Sequence, residues 1–264
     1  MQPLSVLGAD ATSLADALVS RLDGRVVIVE QGASGAEPPG KAAAEVRLAQ
    51  DGSWQAAGDD ADFDELLDRF APAYDYLIAV GHTRLRVPTV LVSADEDPGD
   101  VPGEVIAEAD AMADVDVDAL IDDLDDATPW ITLQELIEQA KADPQAERSG
   151  AIASFTGRVR AKDAPDDDRT THLAFEKYEG VAADRMAAIE SELEERDGVF
   201  RVLMHHRTGV IEDGEDIVFV VVLAGHRTEA FETVEDGINR LKDEVPIFKK
   251  ETTEAEEFWV HQRD

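Results

Sequence analysis

The sequence predicts two domains of different class: an α/β N-terminal domain with a parallel sheet over residues 1–126 and an α+β domain over 129–264. Three observations carry this reading. Apolar runs of strand length alternate with helical spacing in the first part, the order that gives parallel strands and crossover helices. In the second part strands follow one another outside βαβ order, with helices interspersed. Between them an acidic run meets a proline in DDLDDATPW, near residue 127, and a length of 264 residues suits two ordinary cores.

In the first part, PLSVLG is a short apolar strand. TSLADALVSRL has helical spacing at Leu14, Leu18 and Leu22, and RVVIVE reads as a buried strand. QGASGAEPPGKAAAE is a loop by its Gly, Pro and Ala content; YDYLIAVG and PTVLVSA are further strands, and VDVDALIDDL a short helix. In the second part ITLQELIEQAKAD predicts a helix, GAIASFTGRVR a strand, DAPDDDRT a loop and LAFEKY a strand with Leu173, Phe175 and Lys177 alternating. VAADRMAAIESELEER is a helix with Ala182, Met186, Ile189 and Leu193 on one face. RVLMHHRTGVI and DIVFVVVLAG flank Asp213 and Gly214 as a hairpin. TEAFETVEDGINRLKDEV is a helix with a buried stripe of Phe231, Val234, Ile238, Leu241 and Val245, stopped by Pro246, and EFWVH closes the chain as a strand.

Charge sets the outer limits on function. The net charge is -35 and there is no cysteine, so disulfides, thiolate metal sites and cysteine nucleophiles fall away together. Nucleic acid and anionic membrane would be repelled, because both are bound by matching phosphates with Lys and Arg. Dense carboxylates suit a surface hydrated in concentrated salt, where self-repulsion is screened within about 3 Å, and point to a halophilic setting. With neither a signal peptide nor a long apolar run, the expected compartment is the cytoplasm.

The basic groups are unevenly placed. Residues 1–150 carry 32 acidic and 9 basic side chains, whereas 151–264 carry 27 and 15 and hold five of the six histidines, so chemistry is sought in the second part. The clusters are Arg158 and Arg160; His205, His206 and Arg207; His226 and Arg227; and Lys242, Lys249 and Lys250. Any one of these has an ordinary explanation as a solvated surface group. Together they sit at element ends, where side chains can converge on one pocket. Lys242 lies in the last turn of its helix, and Pro246 can bring Lys249 back near it; two amines held close lower each other's pKa and give a neutral nucleophile or base. Arg supplies forked donors for phosphate or carboxylate. A small anionic substrate undergoing acyl or group transfer fits this set. Metal chemistry does not, because His226 lacks a ligand partner at H-x-x-x-H spacing and His205 and His206 point to opposite faces of a strand.

The segments GAIASFTGRVR, LAFEKYEGVA, HHRTGVIEDGEDIVFVVVLAGHRTEAFE and LKDEVPIFKKE with FWV resemble, in order and spacing, the large catalytic subunit of molybdopterin synthase over roughly 129–264. The resemblance implies a hammerhead-type α+β fold, homodimeric within a heterotetramer. It implies sulfur transfer from the C-terminal Gly-Gly thiocarboxylate of a small ubiquitin-like partner to cyclic pyranopterin monophosphate, giving the dithiolene of molybdopterin without a metal or cofactor. By position, Lys242 and Lys249 match the catalytic lysines. Arg158, Val159 and Arg160 match a substrate-binding segment, His226 and Arg227 a substrate-contacting pair, and Phe155 the aromatic position beside the pterin. Lys250 and Glu251 complete the lysine segment, and Arg263 falls near a C-terminal Arg that reaches the other subunit's site. Phe248 stands where the family often has Trp. The alternative is a non-catalytic adaptor that holds a ubiquitin-like tail in the same pocket.

The first part resembles the P-loop adaptor of molybdopterin-guanine dinucleotide biosynthesis in its strand–loop–helix start, YDYLIAVG and PTVLVSA. A phosphate cradle needs G-x-x-x-x-G-K-[ST]. Gly8 leads, but Ser13, Leu14 and Ala15 fill the places of Gly, Lys and Ser/Thr, and Val80 replaces a Glu before Gly81. The resemblance therefore implies a degenerate, non-hydrolysing domain.

Overall fold

The computed structural model describes residues 1–32, 43–58, 62–93, 100–162, 164–177, 180–253 and 257–260, with backbone alone for 176–177 and 257–260. The chain forms two compact units, Met1–Thr132 and Leu133–Asp264. The division falls after the stretch 127–132 because that stretch is tied to the first unit: the Trp130 N–H donates to the Met1 carbonyl at 2.9 Å and its indole N–H to Asp68 at 2.8 Å.

In the first unit β1 (Gln2–Leu7), β2 (Val26–Glu30), β5 (Tyr76–Val80), β6 (Thr89–Val92) and β7 (Val105–Ala109) form a parallel sheet in the order β2-β5-β1-β6-β7. One face packs on α1 (Ala11–Val19) and α3 (Val117–Asp126) through Leu4, Val6, Leu14, Leu18, Leu120 and Leu124. The other face gathers Leu77, Ala79 and Val87 with Leu67 of α2 (Phe63–Phe70). The α2 helix was not expected, although its start is written in the sequence: Asp62 accepts from the Glu65 N–H at 2.8 Å, the cap that D-x-x-E predicts. A separate hairpin, β3 (Ala44–Leu48) with β4 (Trp54–Gly58), and strand β7 were also not expected.

The turn after β1 spans only Gly8, Ala9 and Asp10, too short for the six-residue arc of a phosphate cradle. The Asp10 carboxylate accepts from the Ser93 hydroxyl at 2.6 Å and the Met112 N–H at 3.3 Å and makes no capping bond to the amides of α1.

The second unit opens with α4 (Leu133–Lys141) and has two antiparallel sheets. In the first, β8 (Ala151–Arg158), β12 (Asp216–Ala224) and β10 (Val199–His206) run in the order β10-β12-β8. Val218, Val220, Val222 and Ala224 face α5 (Val181–Glu194) and α6 (Arg227–Glu244), and α4 packs on β12 and β10. The second sheet has the order β11-β9-β13-β14, with β9 (Thr170–Lys177), β11 (Gly209–Glu212), β13 (Ile247–Thr253) and β14 (Glu257–Val260).

Two expectations are corrected here. RVLMHHRTGVI is the hairpin strand only in part: Arg201–His206 pairs antiparallel with Val218–Leu223 of β12, but the strand breaks at Arg207 and Thr208, and β11 pairs with β9. Gly209, at φ +84°, turns the chain from the first sheet into the second. Phe231 is not on the buried stripe of α6. The stripe runs Ala230, Thr233, Val234, Gly237, Ile238 and Leu241, spacing that leaves Phe231 one position off it and 67% exposed. Gly237 lets α6 lie close on the sheet, since a Cβ there would stand 3.0 Å from Met204 Cε and 3.1 Å from Val220 Cγ1.

Strand β10 is an edge, and α5 satisfies its outward amides: the Met204 N–H donates to Glu190 at 2.6 Å and the Val202 N–H to Glu194 at 2.8 Å. Burial pushes the Glu190 carboxyl up to about 7, against the opposing pull of the Met204 amide and Arg201. From about pH 4.5 to about 7 the folded chain keeps a proton that the unfolded chain has released, so this group's contribution to stability is present at low pH and lost as pH rises. Glu190→Gln keeps an acceptor for Met204 and is expected to be more stable than the parent above pH 7, by on the order of 1–3 kcal/mol, with the gap closing towards pH 5. Paired melting curves across that range check it; a constant gap would contradict it.

Candidate functional site

The site is built around the segment that leaves β8. Val159 is 3% exposed and packs with Leu173, Phe175 and Ile211 under the second sheet. Both its backbone groups are held, its N–H by the Glu215 carbonyl at 2.9 Å and its carbonyl by the Gly214 N–H at 2.9 Å. Its side chain is thus core, and its contribution is to fix Arg158 and Arg160 on either side, both exposed. Arg158 Nε lies 3.2 Å from Asp216, and its guanidinium also donates to the Gly214 carbonyl.

Strand β13 brings in the lysines. Lys249 pairs in register with Phe175 and Glu251 with Leu173, so both lie on the sheet face that covers Val159. Lys249 Nζ is 3.8 Å from Glu251, which accepts from the Thr170 hydroxyl at 2.5 Å. Thr170 is 5% exposed, so a buried hydroxyl fixes the carboxylate beside the ammonium. Phe248 and Lys250 alternate to the opposite face. Lys249 and Lys250 therefore do not share one pocket wall. Helix α6 runs back along β12 from its start at Arg227, which carries the exposed Lys242 of its last turn to the Arg158 end of the first sheet. Phe155, also on β8, packs partly buried against the α5–α6 core, with its ring against Gly157.

His226 and Arg227 lie elsewhere. They follow Ala224, which pairs with Ala151 and Val199, whereas Arg158 pairs with Asp216 at the other end of β12. At about 3.3 Å per residue that separation is roughly 25 Å. The expected convergence of every basic cluster on one pocket within a single chain is corrected by this strand order. His226 and Arg227 are exposed at the N-terminus of the 18-residue helix α6, where backbone amides and the helix dipole favour an anion. Arg263 lies outside the described residues.

His205 and His206 point to opposite faces, His205 stacked on Phe219 and His206 edge-on to Phe175. Asp216 and Thr170 were missed by the sequence reading. Asp216 had a signal, since it ends the acidic turn that faces Arg158; Thr170 had none, being one polar residue at the start of a strand.

The profile of the MoaE protein family matches residues 128–244. A probable molybdopterin synthase of Haloferax volcanii is 56% identical over 266 residues, covering all of both chains. Among solved structures, a molybdopterin synthase from Staphylococcus aureus is 32% identical over 44% of this chain and 83% of its own, at a TM-score of 0.41. A MobB protein homolog from Bacillus stearothermophilus is 21% identical over 48% of this chain and 99% of its own, at a TM-score of 0.38. The basic segments described above fall within or just beyond the MoaE match, and identity with the Haloferax relative runs through both units, so the chain belongs to the molybdopterin synthase family.

Proposed function

We propose that the second unit, with the hammerhead-type fold of its family, transfers sulfur from the C-terminal thiocarboxylate of a small ubiquitin-like protein to cyclic pyranopterin monophosphate. The family itself places the chain in molybdenum cofactor biosynthesis as a sulfurtransferase. The observation that carries the finer reading is the packing of Val159, between Arg158 and Arg160 in the chain, beneath the sheet face that bears Lys249. Arg158 and Arg160 take the anionic substrate. Lys249, held by Glu251, meets the negative charge that develops on the acyl oxygen as sulfur leaves the partner's C-terminus, and Lys242 serves as a second proton donor or acceptor. The wide placement of His226 and Arg227 is accounted for by a homodimer in which they reach the partner copy's site, two small subunits completing a heterotetramer. The first unit is a degenerate P-loop adaptor, its turn after β1 too short for a phosphate cradle.

Mixing the purified chain with thiocarboxylated partner and cyclic pyranopterin monophosphate is expected to give the dithiolene product. Binding of the partner with no product, under conditions that support a known synthase, would favour the adaptor reading instead.

A further inference from the structure

We propose that Arg185, Glu192, Arg240 and Glu244 form a ring of ion pairs that positions Lys242 and Lys249, acting on the junction between α6 and β13 without touching substrate. For its effect on rate the proposal rests on the sulfur-transfer reading. For the placement of the two lysines it does not, and that placement can be measured by itself.

The ring closes on itself. Glu244, the last residue of α6, accepts from Arg240 Nε at 2.7 Å and from a terminal nitrogen of the same guanidinium at 3.2 Å, and it also takes a bond from Arg185 of α5. Arg240 donates in turn to Glu192 of α5 at 2.5 Å, and Arg185 stands 3.8 Å from Glu192. Cations and anions thus alternate round four corners, two on each helix. An isolated pair at the surface contributes little, whereas a two-pronged contact inside a network holds its geometry. Arg240 and Glu244 are 24% and 27% exposed against 51% for Glu192, so the firm side of the ring is the one at the end of α6. Arg240 also holds the Glu192 carboxyl below the usual carboxylate range, which keeps that corner charged at neutral pH.

Its place in the fold links it to the site. Helix α5 begins at Val181, soon after β9 ends at Lys177, and α6 ends at Glu244, just before β13 begins at Ile247. Lys177 and Ile247 are register partners, so the ring fastens the two helices where β9 and the strand of Lys249 enter the second sheet. The connection has little slack: the Val245 N–H donates to the Leu241 carbonyl at 3.1 Å, the Ile247 N–H donates to the Val245 carbonyl at 2.8 Å, and Val245 is buried. At about 3.6 residues per turn, Arg240 and Glu244 lie on one flank of the buried Leu241 and Lys242 on the other. Packing of Leu241 and the hold of the ring on one flank together set the rotation of the last turn, and with it the direction of Lys242. The short link carries the same constraint to Lys249.

Amine labelling of the full-length chain with an acylating reagent, read residue by residue by mass spectrometry, tests it together with steady-state sulfur transfer. Arg185→Ala should raise the labelling rates of Lys242 and Lys249 at least about twofold as the junction loosens, and leave that of Lys141 on α4 unchanged. Its kcat should fall at least about tenfold with KM for cyclic pyranopterin monophosphate within about twofold, because Arg158 and Arg160 are untouched. Arg185→Lys, which keeps a cation, should recover part of both effects. Arg196→Ala removes a different bridge to α6, from Arg196 just after α5 to Asp236 at 2.7 Å, and should change neither. Glu244→Gln keeps the shape of the side chain and should repeat the Arg185→Ala pattern, which preserves the test if Arg185→Ala does not fold. Unchanged lysine labelling in the folded variants, or equal effects from Arg196→Ala, would overturn the positioning role. The expected labelling in a chain whose parent makes no dithiolene would uphold the ring and overturn the sulfur-transfer reading instead.

Discussion

Lys249→Ala is expected to lower dithiolene formation by at least about 100-fold while the chain stays folded and binds its small partner. The size follows from the position of the ammonium. Lys249 sits in the middle of β13 on the face above Val159, with Glu251 fixed beside it by Thr170, so its charge is oriented before substrate arrives. An aligned donor of this kind is among the larger single contributions to acyl-transfer catalysis. The residue is half-buried and its strand pairs with β9 and β14 through the backbone, so truncation leaves the ladder intact. Lys250→Ala is the informative comparison: from the opposite face of β13 it should cost much less. Full activity in Lys249→Ala would remove this lysine from the mechanism, and equal losses in the two variants would mean that charge alone, not placement, matters.

A second large effect is expected from mixing two inactive proteins. Arg158→Ala/Lys249→Ala removes a guanidinium at one end of the first sheet and the ammonium of β13 in the second, and His226→Ala/Arg227→Ala removes the pair at the other end of the first sheet, roughly 25 Å from Arg158 by strand rise. Each alone should fall at least about 100-fold. If the two ends serve sites shared between copies, subunit exchange builds mixed dimers in which one site collects all its intact residues. With equal input half the dimers are mixed and each has one good site, so activity should return to about a quarter of the parent's. Failure of exchange can be detected with a tagged copy. Confirmed exchange without recovery would mean that both ends act within one chain or that the His226 end has another task.

The parts of the fold legible in the sequence are those whose local pattern and tertiary role agree. Helix α6 was legible because a helical stripe, a lysine in the last turn and Pro246 all point the same way, although Phe231 beside the stripe was miscounted as part of it. Strand β12 was legible because it is continuously apolar and buried from Val218 to Ala224. The change of sheet at Gly209 was not, because Asp213 and Gly214 resemble a hairpin turn and nothing local records that β11 finds its partner in β9. At the site, residue types were legible and their grouping was not. Lys249 and Glu251 are set side by side above the buried Val159 and Phe175, which is a property of packing. The separation of His226 from Arg158 depends on strand direction, which no motif encodes. In the first unit the missing Lys and Ser/Thr after Gly8 were visible, whereas the bonds of Asp10 to Ser93 and Met112 join segments about 80 and 100 residues away that no local pattern links to it.

The closure of the second sheet also bears on when the enzyme becomes competent. Strand β13 reaches back to β9 across α5, β10, β11, β12 and α6, so Lys249 meets Phe175 only after most of the second unit has been made. Pairings between distant segments form slowly because the intervening chain must first be gathered in. On a ribosome, the first unit can fold while the second is still emerging, and Lys249 is set in place only after β9 and the elements that follow it have been made. A nascent chain stalled before β13 should therefore hold a folded first unit and no sulfur-transfer activity, so that docking of β13 on β9 marks the birth of the catalyst.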